Sequence, residues 1–284
     1  MTRHSLARRL PAILLTLLLT AILLGICLIV QGTFLEPRKL ETTLLDINLP
    51  EWNKTEQPAT IVALADLHAG PGDENRIRNI VEKTLALAPE IIVLLGDFAQ
   101  GHTAESTMSP EQIAATLRPL ARVPVYYILG NHDYACGAAS FDRAFQAAGF
   151  IKMEGQSRII TFKNGNSIQL SGISDDDTYP AHACSTPPKQ HPETPQIVIT
   201  HSPGAFPFIP SHVDLTLAGH THGGQICLPG GYPLSPAPTR CTKELMSGYH
   251  RHGNKQIYIS RGLGTSILPI RLFCPPEIVH IRLH

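Results

Sequence analysis

Seven side chains in this sequence have the types and placement to hold metal ions: Asp66, His68, Asp97, Asn131, His201, His220 and His222. They fall in five short polar groups: Asp66-Leu67-His68, Gly96-Asp97, Gly130-Asn131-His132-Asp133, His201 and Gly219-His220-Thr221-His222. Each group ends an apolar run. Two Asp, one Asn and four His form a mixed oxygen and imidazole set. Such a set suits two divalent transition ions (Mn, Fe or Zn) better than Ca or Mg. No Cys belongs to it, which disfavours a structural thiolate zinc site. Two ions held ~3.5–4 Å apart also need one shared carboxylate. The glycines before Asp97, Asn131 and His220 are expected to supply the tight turns that aim those side chains. Any one group alone reads equally well as a cap or turn; five in series do not.

Convergence of these groups requires a particular scaffold. Apolar runs at 60–65, 91–95, 125–129, 196–200 and 214–218 read as strands, with helices at 74–88, 110–121 and 140–148. The alternation indicates βαβ units, whose ligands bind beyond the carboxyl ends of the strands. Asn164-Gly165 marks the turn of a hairpin over 158–171. An edge strand is expected at 40–49, further strands near 256–260 and 277–283, and a polar loop over 175–195. Asp175, Asp176 and Asp177 in that loop read as solvated, because three consecutive side chains cannot easily face one ion.

The five groups, complete and in order, resemble the signature of the calcineurin-like metallophosphoesterases. The run His220-Thr221-His222-Gly223-Gly224-Gln225 and the later Arg261-Gly262-Leu263-Gly264 are similar to the membrane-associated bacterial branch of that family. The resemblance implies a four-layer α/β/β/α sandwich and a di-metal phosphoesterase. By position it assigns Asp66, His68 and His222 to the first metal and Asn131, His201 and His220 to the second, with Asp97 bridging. It further implies in-line attack on phosphorus by a metal-bound hydroxide, with His132 serving the leaving oxygen and Asp133 orienting the His132 ring. After Gly-Asp, many relatives carry another acidic residue three positions on. Here Phe98-Ala99-Gln100-Gly101-His102 follows, which puts the substrate side in question. His102 is a candidate substrate contact or an exposed loop histidine. Arg261 is a candidate phosphate contact or a structural ion pair.

The implied reaction is hydrolysis of a phosphodiester or pyrophosphate bond in a phosphorylated small molecule or lipid. A phosphomonoesterase of the same fold is the enzymatic alternative, and a non-catalytic metal-binding scaffold the other. Lys+Arg and Asp+Glu both number 23, so the formal net charge is zero, without the basic excess of a nucleic-acid binder. Charged residues are only 16% of the chain. Part of that shortfall is local: residues 10–30 carry no charge and, as a helix, reach about 31 Å, enough to span a bilayer core. A cleaved signal peptide is the alternative, but no A-x-A-like site follows Val30. The expected organisation is a tail (1–9), a transmembrane anchor (10–30), a tether with an edge strand (31–59) and a catalytic domain (60–284). Arg3, Arg8 and Arg9 precede the span, which favours a single-pass inner-membrane protein with its body facing the periplasm or outside. Cys227 and Cys241 flank a Gly/Pro-rich loop as a candidate disulfide. Oligomeric state leaves no mark in the sequence.

Overall fold

The Val- and Ile-rich runs before the polar groups form strands, since β-branched side chains suit a pleated, buried surface. A computed structural model describes residues 3–50, 52, 57–175, 178, 185–238 and 241–284. Asp176, Asp177, His182 and Cys184 of the expected polar loop lie outside the described residues. The strands are β1 (Glu41–Ile47), β2 (Ala59–Leu64), β3 (Ile91–Leu94), β4 (Val125–Tyr127), β5 (Ile151–Lys152), β6 (Ser157–Thr161) and β7 (Ser167–Gly172). They continue with β8 (Gln196–Ile199), β9 (Leu215–Ala218), β10 (Cys227–Leu228), β11 (Tyr232–Pro233), β12 (Gly248–His252), β13 (Lys255–Ile259) and β14 (Glu277–Leu283). The helices are α1 (Arg3–Val30), α2 (Glu74–Ala86), α3 (Pro110–Leu117) and α4 (Asn131–Ala147).

The fold is the mixed α/β architecture that the motifs implied. One six-stranded sheet has the order β1-β14-β2-β3-β4-β5, and the other β12-β13-β9-β8-β7-β6. Strands β2 to β5 run parallel, as do β7, β8, β9 and β13. Alternation along β2 divides its side chains between two cores. Ile61 and Ala63 pack between the sheets with Ile168, Ile197 and Leu215, while Val62 and Leu64 face Ile77, Ile113 and Phe145 of the helices. Helices α2, α3 and α4 thus cover one outer face. Across the other, the 3₁₀ turn Pro203–Phe208 packs Ala205 and Phe206 against Val198, Ala218 and Ile257.

Several elements differ from the sequence reading. The helix expected at 140–148 begins at Asn131, so the third polar group opens a helix instead of ending a strand. A kink at Gly137 (φ 106°) lets the two turns join. Helix α3 stops at Leu117 and passes into a 3₁₀ turn, Arg118–Arg122, where Pro119 cannot continue the ladder. Edge strand β12 escaped notice because its residues are mostly exposed and carry no apolar alternation. Asp175 is fully buried, not solvated, and accepts bonds from the Thr178 N–H and hydroxyl, each at 2.8 Å. Cys227 is in no disulfide, so the expected pairing with Cys241 does not form. The Cys227 thiol neighbours Cys274 instead, and both sulfurs donate to the Gly223 carbonyl oxygen, at 3.3 and 3.7 Å.

Helix α1 is long and apolar enough to cross a membrane, and from Pro11 onward its apolar side chains stand exposed outside the fold. It continues through Gln31–Leu35 as a wider π turn and Glu36–Arg38 as a tighter 3₁₀ turn. At buried Gly32 it meets the body: the Arg271 N–H donates to the Gly32 oxygen at 2.9 Å. A side chain at position 32 would stand 3.0 Å from the Ile270 side chain.

Candidate metal centre

Strand order explains why residues far apart in sequence meet. Asp66 and His68 follow β2, Asp97 follows β3, Asn131 opens α4 after β4, His201 follows β8, and His220 and His222 follow β9. All lie beyond the carboxyl ends of parallel strands, at one edge shared by both sheets. The backbone there is unusual. Asp66, His68, Asp97, His220 and His222 have φ of 52°, 42°, 55°, 70° and 53°. Left-handed backbone costs about 1–2 kcal/mol in a residue with a Cβ, and such costs collect at functional sites. The ligands therefore make most of the turns expected of the glycines; of the three glycines only Gly96 has a positive φ, at 89°. Gly130 serves close approach instead, because a Cβ there would collide with Asp97 Oδ1.

The seven candidate ligands form two groups joined by one carboxylate. On one side His68 Nε2 and His222 Nε2 are 3.0 Å apart beside Asp66. On the other, His201 Nε2 is 3.2 Å from both Asn131 Oδ1 and His220 Nδ1. Asp97 Oδ2 stands 3.5 Å from His68 Nε2 and 3.4 Å from His201 Nε2, between the groups. Each carboxylate is held by its other oxygen. Asp66 Oδ1 accepts the His220 N–H at 2.8 Å, and Asp97 Oδ1 accepts the His132 N–H at 2.9 Å. His201 Nδ1 lies 2.7 Å from the Leu95 carbonyl; donation there fixes the tautomer that leaves Nε2 free as a ligand.

The donor set fits two metal ions. Asp66 Oδ2 is buried without a hydrogen-bond partner, a need that a bound cation would meet. Burial pushes the Asp66 carboxyl up to about 7, with the Asp97 charge adding to it. Burial also pushes His68 down to about 3, leaving a neutral imidazole suited to a metal. Although burial opposes it, Asp97 is held well below the usual carboxylate range by His201, His68 and His132. His201 is raised by the Asp97 carboxylate despite its own burial.

His132 reaches the same edge, with Nε2 3.8 Å from Asp97 Oδ2. Its ring is not oriented by Asp133. Successive side chains on a helix diverge by about 100°, so Asp133 points inward while His132 points to the cleft. Asp133 Oδ1 accepts the Phe98 and Ala99 N–H groups at 2.8 and 2.9 Å, and Oδ2 accepts the Gly130 N–H at 2.9 Å. Burial pushes its carboxyl up to about 8, the Asp97 charge assists, and these N–H groups work against both. The Gly101 carbonyl oxygen, 2.5 Å from His132 Nδ1, holds the ring. His102 stacks on His132 with ring centroids 4.2 Å apart.

A cleft of about 790 Å³ opens over the centre, lined by Asp97, His102, Asn131, His132, His220 and His222. Ile226, Leu234, Ile267 and Leu268 add an apolar wall to the same lining. Arg261 takes no part in this lining. Its guanidinium pairs with buried Glu277 at 3.0 Å and with Glu41 at 3.3 Å, the geometry of a structural ion pair and not of a phosphate contact. Arg271, which sequence reasoning missed, is fully buried behind the centre. It donates to the carbonyl oxygens of Gly264, Arg261 and Cys274 at 2.6, 2.7 and 3.0 Å, and its Nη2 comes within 3.5 Å of His222 Nδ1. A lone arginine inside Ile267-Leu268-Pro269-Ile270-Arg271-Leu272-Phe273 was the available signal. Gln225 ties the same loop in, donating to the Ser266 and Leu268 oxygens at 3.1 and 2.8 Å.

Comparison with known proteins identifies the family. Residues 59–224 match the family model described as calcineurin-like phosphoesterase. Phosphodiesterase YaeI of Escherichia coli is 29% identical over 233 residues, covering 80% of this chain and 82% of that one. An uncharacterized metallophosphoesterase of Aquifex aeolicus is 28% identical over 93% of this chain and 97% of its own. Among solved structures, the NAD nucleotidase NadN of Haemophilus influenzae superposes with a TM-score of 0.46 at 12% identity. That match covers 72% of this chain but only 45% of NadN. With the matched segment running from β2 through His222 and spanning more than half the chain, the protein belongs to the calcineurin-like phosphoesterase family and is a metallophosphoesterase.

Proposed function

We propose that this enzyme hydrolyses phosphodiester or pyrophosphate bonds using two divalent transition-metal ions (Mn, Fe or Zn). Asp66, His68 and His222 would hold one ion, Asn131, His201 and His220 the other, and Asp97 both. When bound, such ions supply an acidified water and neutralise charge on the phosphoryl oxygens. His132 donates its Nδ1–H to Gly101, which turns Nε2 toward the cleft. From there a protonated Nε2 can pass its proton to the departing oxygen. Asp133 acts at one remove: by holding the Phe98, Ala99 and Gly130 N–H groups it fixes the turns on either side of Asp97 and His132.

The observation that carries this reading is Asp97 Oδ2, set between two imidazole groups and within 3.8 Å of His132 Nε2. A diester is favoured because the apolar wall of Ile226, Leu234, Ile267 and Leu268 offers a place for a second, non-phosphate substituent. That wall, with residues 10–30 as a single-pass anchor, supports a lipid-linked or cell-envelope substrate. The basic residues before the span support a body facing the periplasm or outside. The full chain in detergent, stripped of metal and reloaded with Mn, Fe or Zn, should cleave bis-p-nitrophenyl phosphate faster than the monoester. The reverse preference would establish a phosphomonoesterase. Two bound ions without hydrolysis of either would establish a scaffold or a strictly selective enzyme.

A further inference from the structure

The apolar segment that lines the cleft also has side chains turned to solvent. Ile267 is 97% exposed and Leu268 49%, while Phe273 of the same segment is 38% exposed. Ile267 and Phe273 have φ of 63° and 51°, left-handed conformations that bulky residues rarely adopt. A backbone held this way to push an isoleucine outward calls for something apolar outside.

The neighbouring β10–β11 hairpin carries the same character. Leu228, Tyr232 and Leu234 are 47%, 59% and 55% exposed. Lys243 Nζ lies 5.9 Å from the Tyr232 ring centre, an aromatic and cation pairing typical of a membrane–water boundary. Backbone bonds join both segments to each other and to the apolar helix. Cys227 N–H donates to Leu272 oxygen at 2.8 Å, and Arg271 N–H to Gly32 oxygen at 2.9 Å. Just beyond Gly32, Phe34 and Leu35 are also exposed, at 51% and 56%. The exposed apolar surface is therefore continuous, through bonded backbone, with the end of the candidate span.

We infer that the 266–273 segment and the β10–β11 hairpin are a lipid-docking rim that inserts into the bilayer surface beside the anchor. The occupant is a phospholipid bilayer, chosen because the span ends at the rim. Since Leu234, Ile267 and Leu268 line the cleft as well, the centre then opens along the lipid surface. The inference rests on the reading of residues 10–30 as a membrane anchor.

The test uses the full chain in phosphatidylcholine–phosphatidylglycerol vesicles whose acyl chains are brominated, a quencher of tryptophan fluorescence. The single native tryptophan, Trp52, is buried in the core between the sheets and sets the baseline. Ile267→Trp and, separately, Phe273→Trp should each lose about half or more of the added fluorescence. Ile159→Trp, on β6 at the far edge of the second sheet, should lose none. Vesicle-bound protein with neither rim variant quenched would overturn the rim and leave the anchor standing. Equal quenching at position 159 would also overturn it. Failure of the chain to float with vesicles would overturn the anchor reading and the rim with it.

Discussion

Asp97 and His132 touch twice: the carboxylate accepts the histidine's backbone N–H through Oδ1 at 2.9 Å, and its Oδ2 lies 3.8 Å from the ring Nε2 of the same residue. One residue thus fixes the first turn of α4, balances the candidate proton donor and links both ligand groups. Few positions in the chain combine so many constraints.

Asp97→Asn should therefore fail in chemistry while keeping its fold. An amide oxygen can still accept the His132 N–H, but the amide nitrogen cannot bridge cations. Metal content should fall from two ions per chain, and kcat by on the order of 10³ or more. Elemental analysis beside diester kinetics checks it, and full activity in this variant would dismiss Asp97 as the bridge.

His132→Gln removes the ring while leaving Asp66, Asp97 and the other histidines in place. Two ions should still bind, and kcat should fall about 10²–10⁴-fold. The loss should be larger for an alkyl ester than for a p-nitrophenyl ester, whose leaving group scarcely needs a proton. Equal losses on the two esters would assign His132 to charge stabilisation and not to proton donation.

Metal binding should strengthen as pH rises. Asp66, pushed up to about 7 by burial, holds a proton in the metal-free fold that a cation must displace. Because its folded value is raised, its contribution to metal-free stability is full below the ordinary carboxyl range and is lost as pH climbs to 7. His201, raised by Asp97, has the same sign. His68, lowered to about 3, has the opposite sign: its contribution rises between about 3 and 6.5. It is already neutral above pH 5 and releases nothing to a metal. The gain in Tm on adding Mn should hence be larger at pH 7.5 than at pH 5.5, by roughly tenfold in affinity per pH unit for each proton displaced. Asp66→Asn should flatten the trend, and an unchanged slope would remove Asp66 from the ligand set.

Asp133→Ala would orphan three buried N–H groups, those of Phe98, Ala99 and Gly130. The cost should be about 3 kcal/mol. For a domain of this size that is about 6–12 °C in Tm. Thermal melts in Mn check it. A shift under a degree would mean that the neighbouring turns hold without the carboxylate.

The sequence by itself determined the family and the candidate ligand set. Asp66, His68, Asp97, Asn131, His201, His220 and His222 were legible because their types are those of metal ligands and each closes an apolar run. The central parallel strands were equally legible, since burial on both faces of a parallel sheet forces unbroken Val/Ile runs such as 91–94 and 196–199. What needed the tertiary structure were contacts between segments that share no pattern. The Gly101 carbonyl at the His132 ring, Asp133 turned away from it, and Arg261 drawn to Glu277 all depend on side-chain direction. So does the contact of the Cys227 thiol with Cys274 instead of Cys241. Local spacing sets which residues can reach a strand end. Only the packing of two sheets decides which of them face one another there.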